Sequence, residues 1–151
     1  MSAHTFFPHV TVAAVAERAG RFLIVREPVR GRMALNQPAG HVEDGESFVE
    51  AVIRETKEET GWAFAPEGLV GLYRWRTLDR SQTFVRVCFH GRAVAPDERA
   101  VLDPVIDSVH WLSAAQLHGR AEECRAPLVL ACLDDYLAGK RYPLDLLVDL
   151  S

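Results

Sequence analysis

The chain of 151 residues has little cysteine, no excess of positive charge and no long apolar run. Its three cysteines, Cys88, Cys124 and Cys132, form no CxxC pair and stand at no zinc-finger spacing to a histidine. That argues against a disulfide framework and against a structural zinc site. An odd number of thiols without a signal peptide fits a reducing, cytoplasmic compartment, where small buried core residues are the expected role. Lys and Arg total 17 against 21 Asp and Glu, a net charge of −4, without the basic footprint of a nucleic-acid polymer binder. Small phosphorylated ligands stay compatible, because local charge departs from net charge. Apolar runs such as 128–133 are too short to span a membrane. The N-terminal stretch has neither a basic n-region nor an apolar h-region. Repeats, low-complexity tracts and long linkers are missing too, so residues 1–151 read as a single domain.

What is present begins with strand signals. Residues 10–16 are apolar and partly β-branched, and RFLIVR at 21–26 returns after a turn at Gly20, as in a hairpin. Residues 27–35 read as an arginine-rich loop, leading through Pro38 and Gly40 toward a helix. Ser47 and Glu50 form a capping box, and Gly61 supplies a stop, which predicts a helix over 48–60. Residues 69–77 and 83–94 read as strands around a turn at 79–82, followed by a polar loop at 96–104 and a short strand at 108–112. Ser113 with Gln116 caps a short helix, and Pro127 opens a last helix that stops near Gly139. The order argues for an α/β (α+β) fold with a mixed sheet between helices. The helices are too few for a doubly wound parallel sheet.

The central helix carries the chemistry. At about 100° per residue, Glu59 lies ~40° to one side of Glu55 and Glu58 ~60° to the other, while Val49, Val52 and Thr56 cluster ~60–120° away. An acidic face therefore runs beside, and not within, the packing face. A solvated charged face is the bland alternative, but such faces favour Glu–Lys pairs at i, i+4, and here Glu55 faces Glu59 at that spacing. A divalent cation makes the arrangement favourable. Hard oxygen ligands suit Mg²⁺, with Mn²⁺ as the alternative, and such an ion commonly joins carboxylates to substrate phosphate oxygens. Hydrolysis of a phosphoanhydride is then the natural reaction.

Gly40, Glu46, Arg54-Glu55, Glu58-Glu59 and Gly61 fix seven polar or glycine positions across 22 residues. In that spacing they resemble the Nudix box. The sequence departs from the family pattern at Thr56, usually aliphatic, and carries a bulky Trp62 at the closing apolar position. The resemblance implies a Nudix α/β/α sandwich with a mixed β-sheet and a metal-dependent, MutT-like hydrolase. It implies that Glu55, Glu58 and Glu59 hold Mg²⁺ with the carbonyl of Ala39. Arg54 would orient the glutamates and Glu46 would support the far end of the box. A general base would come from the box, as Glu58, or from a later loop, as Asp103 or Asp107. A narrower likeness, in PHVTVAAV, NQPAGHVE, HWLSAAQL, RAPLV and GKRYPL, is to the NudJ-type phosphatases. These release phosphate from nucleoside tri- and diphosphates and act on thiamine pyrophosphate and hydroxymethylpyrimidine pyrophosphate.

Around this box, Gln37 could hydrogen-bond a base or ribose. Arg26, Arg74, Arg76 and Arg86 could meet phosphate, with Arg86 preferred because it sits between strand hydrophobics. Trp75 could stack on a heteroaromatic ring, and His41 could touch phosphate. The expected partner is a small phosphorylated molecule, with the protein a monomer or homodimer. Two other readings share the box: a nucleotide-sensing module that does not hydrolyse, and a MutT-like pyrophosphatase for oxidised nucleotides.

Overall fold

The computed structural model describes residues 5–151. Its elements follow in the order β1 (His9–Arg18), β2 (Arg21–Val29), β3 (Arg32–Asn36), β4 (Ala39–His41), α1 (Phe48–Thr60), β5 (Trp62–Arg76), β6 (Thr83–Pro96), β7 (Ser108–Ser113), α2 (Ala114–Gly119) and α3 (Pro127–Leu137). The strands form a seven-stranded sheet with β3-β2-β1-β6-β5 as its path, β4 paired to β1 and β7 to β2. β1 runs parallel to β6 while the other pairings are antiparallel. The sheet is mixed, as expected.

β1 explains the layering. Val12, Ala13, Ala14, Val15 and Ala16 are all buried, the mark of a strand covered on both faces. Ala13 and Val15 join Cys88, Cys132 and Leu133 in one core, on the side of α3. Val12 and Ala14 join Val52, Val87 and Phe89 in the other, on the side of α1. Side chains two apart on a strand share a face, so Phe84 and Arg86 point the same way as Cys88, toward α3.

Both capping boxes form, at Ser47–Glu50 and Ser113–Gln116. Gly61 ends α1 at φ 76°, a left-handed conformation that glycine adopts without steric cost. Thr56 is fully buried, and its hydroxyl donates to the Val52 carbonyl at 2.7 Å, so the departure at this position leaves no unsatisfied polar group.

Two expectations change. Residues 27–35 are not a loop: β2 continues to Val29 and β3 starts at Arg32, joined by a two-residue turn with Arg30 at φ 48° and Gly31 at φ 81°. Positive φ at both central positions is the turn that matches the twist of a tight hairpin, and the arginines conceal the strand pattern. β5 also begins earlier, at Trp62, because β6 pairs it back to Pro96 through several register shifts.

Candidate functional site

Glu59 is more enclosed than the angular reading places it, at 6% exposure. It lies only about 20° from Val52 around the helix, and β4 covers it: the Ala39 N–H donates to Glu59 Oε1 at 2.7 Å. Burial pushes the Glu59 carboxyl up to about 8, with the charges of Glu27, Glu55 and Asp103 adding to the rise and the Ala39 bond opposing it. Glu55 is raised as well, by burial first, against the pull of Arg54. A Cβ built on Gly40 would overlap the Glu55 carboxylate. Glycine here lets β4 close over that carboxylate.

Arg54 organises the remaining acids. Its Nε and Nη2 donate to the two oxygens of Glu46 at 2.6 and 3.0 Å, and Nη2 also donates to the His41 carbonyl. Its Nη1 donates to Glu55 at 3.0 Å and Glu58 at 3.1 Å. The hydrogen bond from Arg54 holds Glu46 below the usual carboxylate range, and the same bond raises Arg54. Among the described residues no three His, Cys, Asp or Glu side chains converge as a ready-made metal cage; Arg54 bridges Glu55 and Glu58 instead. The donor set still fits a hard divalent cation. Two enclosed carboxylates are held above their ordinary range by burial, and a third, Glu58, is half-exposed beside them.

The later-loop acids separate. The Asp103 N–H donates to the Glu58 carbonyl at 2.8 Å, and its charge acts on both Glu55 and Glu59. Asp107 instead accepts from Arg26 at 2.8 Å and from Ser108 at 3.0 Å, bonds that hold its carboxyl low. Arg26 and Asp107 are therefore spent on each other, and neither lines the cavities beside the box.

Two cavities share the Trp75–Phe84–Arg125 wall, and the smaller of them reaches β4. The smaller, of about 150 Å³, is walled by Thr11, Asn36, Ala39, Gly40, Arg86 and Arg125 among others. The larger, of about 590 Å³, extends past Arg125 between Arg30, Thr77, Asp79, Pro127 and Leu130. Trp75 and Phe84 line both. Phe84 stacks on Trp75 at 5.7 Å and on His9 at 4.7 Å, a flat aromatic wall suited to a ring-bearing ligand. His41 meets His9 at 2.9 Å, and burial lowers its pKa, with His9 and Arg125 adding to the effect.

Arg86 is 5% exposed. It donates to Gln37 Oε1 at 3.0 Å and Asn36 Oδ1 at 3.1 Å, while the Gln37 amide donates to the Val129 carbonyl. Gln37 is thus buried structure under the cavity, in contact with Arg86. Arg74 and Arg76 are exposed and alternate with Trp75 along β5. Asn36, Phe84 and Arg125 went unnoticed as site residues in the sequence. Phe84 carried a signal, since it shares a strand face with Arg86.

The NUDIX domain family matches residues 6–132. Phosphatase NudJ of Escherichia coli (strain K12) is 38% identical over 148 residues, which cover 97% of this chain and 94% of that protein. A NUDIX hydrolase from Nitrosomonas europaea superposes with a TM-score of 0.92 at 45% identity, over 95% of this chain and 97% of that one. A MutT NUDIX hydrolase from Burkholderia pseudomallei, at 21% identity and a TM-score of 0.73, covers 86% of this chain and 98% of its own. It shares the fold.

Proposed function

This chain belongs to the NUDIX family, and from that premise we propose that it is a magnesium-dependent hydrolase of phosphoanhydride bonds in nucleoside tri- and diphosphates or in thiamine-pathway pyrophosphates, releasing phosphate. Membership makes it a hydrolase of acid anhydrides; the substrate, the metal and the product are our reading. The observation that carries it is the junction at Ala39–Gly40, a backbone segment that contacts enclosed Glu59 and Glu55 and also lines a cavity with Arg86 and Trp75.

Glu55, Glu58 and Glu59 would hold the divalent cation, with the Ala39 carbonyl as a further donor. A cation bound there supplies stabilisation of charge on the phosphoryl group under attack. Arg54 keeps Glu55 and Glu58 aligned, and Glu46 fixes Arg54 through a bidentate pair, geometry that adds direction as well as strength. Glu59, its carboxyl pushed up to about 8 by burial, would give up its proton in holding a cation. Asp103 or Glu58 would take a proton from the attacking water, since Asp107 is paired with Arg26. Trp75 and Phe84 offer a stacking wall for the organic ring of the substrate.

Among the described residues no helix is long and apolar enough to cross a membrane. The cytoplasm is the compartment we assign, with a monomer or homodimer as the working form. The test is a phosphate-release screen with Mg²⁺ over nucleoside tri- and diphosphates, thiamine pyrophosphate and hydroxymethylpyrimidine pyrophosphate. Turnover of at least one, dependent on Mg²⁺, is expected. Well-folded protein that turns over none of them sinks the reading, and pyrophosphate as the product would point to the MutT-like alternative.

A further inference from the structure

The side of the cavity that faces away from the glutamates carries the opposite imbalance. Arg86 is a guanidinium at 5% exposure whose hydrogen-bond partners are two amide oxygens and, at 4.0 Å, the sulfur of Cys132. Among the described residues it has no carboxylate partner. Its Nε is also the buried side-chain polar atom left without any hydrogen bond there. An isolated buried charge costs several kcal/mol or more, and proteins pair such charges where they can. Both amide oxygens nearby are consumed by Arg86, so this wall has mainly donors left to offer.

A second cation stands beside it. Arg125 lines both cavities and is half-exposed, ion-paired through Nη1 to the buried carboxylate of Glu27. Its place is fixed from both sides. The Arg125 N–H donates to the Leu35 carbonyl at 2.8 Å, and Arg32 donates to the carbonyls of Glu122 and Cys124. These contacts staple the chain before α3 to β3. α3 then begins at the cavity wall: its N-cap is Ala126, which makes no side-chain cap, and Pro127 follows. Pro127 has no N–H and the Val129 N–H donates to the Ala126 carbonyl at 3.1 Å, which leaves the Leu128 N–H, at the cavity wall, as the first-turn donor at the positive end of the helix dipole.

We propose that the small cavity is an anion subsite, formed by Arg125, Arg86 and the N-terminus of α3, that takes the substrate phosphate nearest the organic group while the glutamates serve the phosphate beyond it. The proposal rests on the hydrolase reading for its substrate, not for its existence. The subsite lies between Gly40 and the Trp75–Phe84 wall, so one phosphate there places the ring in the larger cavity and the scissile anhydride toward Glu55 and Glu59. For a diphosphate substrate, water cleaves the anhydride, orthophosphate leaves from the glutamate side, and a monophosphate ester stays in the subsite.

Inorganic phosphate is the probe. Titrated into the wild-type protein in EDTA and followed by calorimetry and thermal shift, it is expected to bind saturably. Arg125→Ala should weaken binding by about tenfold or more, the scale of a lost charge-assisted hydrogen bond, and Arg125→Lys should restore part of it. Arg125→Ala also unpairs the buried Glu27 carboxylate, so the double variant Glu27→Gln/Arg125→Ala is compared with Glu27→Gln alone, and the same loss of phosphate affinity is expected between that pair. Glu58→Gln should bind phosphate as the wild type does while losing turnover. In steady-state assays Arg125→Ala should raise KM for diphosphate substrates more than it lowers kcat. Absence of saturable phosphate binding by the wild type in EDTA, or wild-type affinity in Arg125→Ala, overturns the subsite. Arg125-dependent binding by a protein that hydrolyses nothing would retain the subsite and sink the hydrolase reading instead.

Discussion

The two walls of the junction at Ala39–Gly40 are electrical opposites. On the α1 side, three glutamates share one helix face, and the most enclosed of them is pushed up to about 8. On the α3 side, a buried guanidinium has only neutral partners. Each wall sets stability against function, because each keeps charge that burial disfavours. They differ in how the chain manages it. Arg54 and Glu46 compensate part of the acidic wall and the rest takes up protons, whereas Arg86 cannot shed its charge and is held only by amide oxygens.

The largest test of this contrast is on the acidic wall. Glu58→Gln and Glu59→Gln should each lower kcat by roughly 10²- to 10³-fold, reflecting several kcal/mol of lost charge stabilisation. Wild-type rates in both would break the metal assignment. Arg54→Ala should cost about 10- to 100-fold, the range for residues that orient metal ligands, and should also lower Tm by leaving Glu46 unpaired. Asp103→Asn should reduce kcat more than Asp107→Asn, because the charge of Asp103 acts on Glu55 and Glu59 while Asp107 is paired with Arg26. The reverse ranking would return the general base to Asp107.

Smaller effects sharpen the stability side. The Glu59 carboxyl sits at about 8 in the fold against an ordinary 4.5, so between those values the folded state binds the proton more tightly than the unfolded one. Its contribution to stability is therefore present below about 4.5 and declines as pH rises through about 8. In EDTA, thermal unfolding should show Glu59→Gln gaining on the wild type as pH climbs through that window, with added Mg²⁺ stabilising only the wild type. A constant difference across pH would break this account. Arg86→Met should move Tm least, since relief of a buried charge offsets two orphaned amide oxygens, while raising KM. A large fall in Tm would make Arg86 a structural residue first.

Much of the fold was legible in the sequence because its signals are local. Ser47–Glu50 and Ser113–Gln116 cap helices through contacts three residues apart, and Gly61 ends α1 through its own backbone conformation. The β2–β3 hairpin was not, because Arg26, Arg30 and Arg32 hide the alternation and its turn carries arginine at positive φ. Helical spacing likewise placed Glu55, Glu58 and Glu59 on one face. It could not say that Glu59 would be covered, since β4 does the covering and pairs with β1, distant in sequence.

By itself, then, the sequence determined the acid set and its carrier: periodicity and capping are properties of short stretches, and the box lies within one. Only the tertiary structure decided what faces that set. Arg86, Arg125 and Asn36 come from separate elements and meet because β6 lies beside β1 and the chain before α3 is stapled to β3. It also paired Arg26 with Asp107 and joined the Asp103 backbone to the end of α1 at the Glu58 carbonyl. Charge pairing across the fold depends on distances of a few ångströms, which no spacing along the chain encodes.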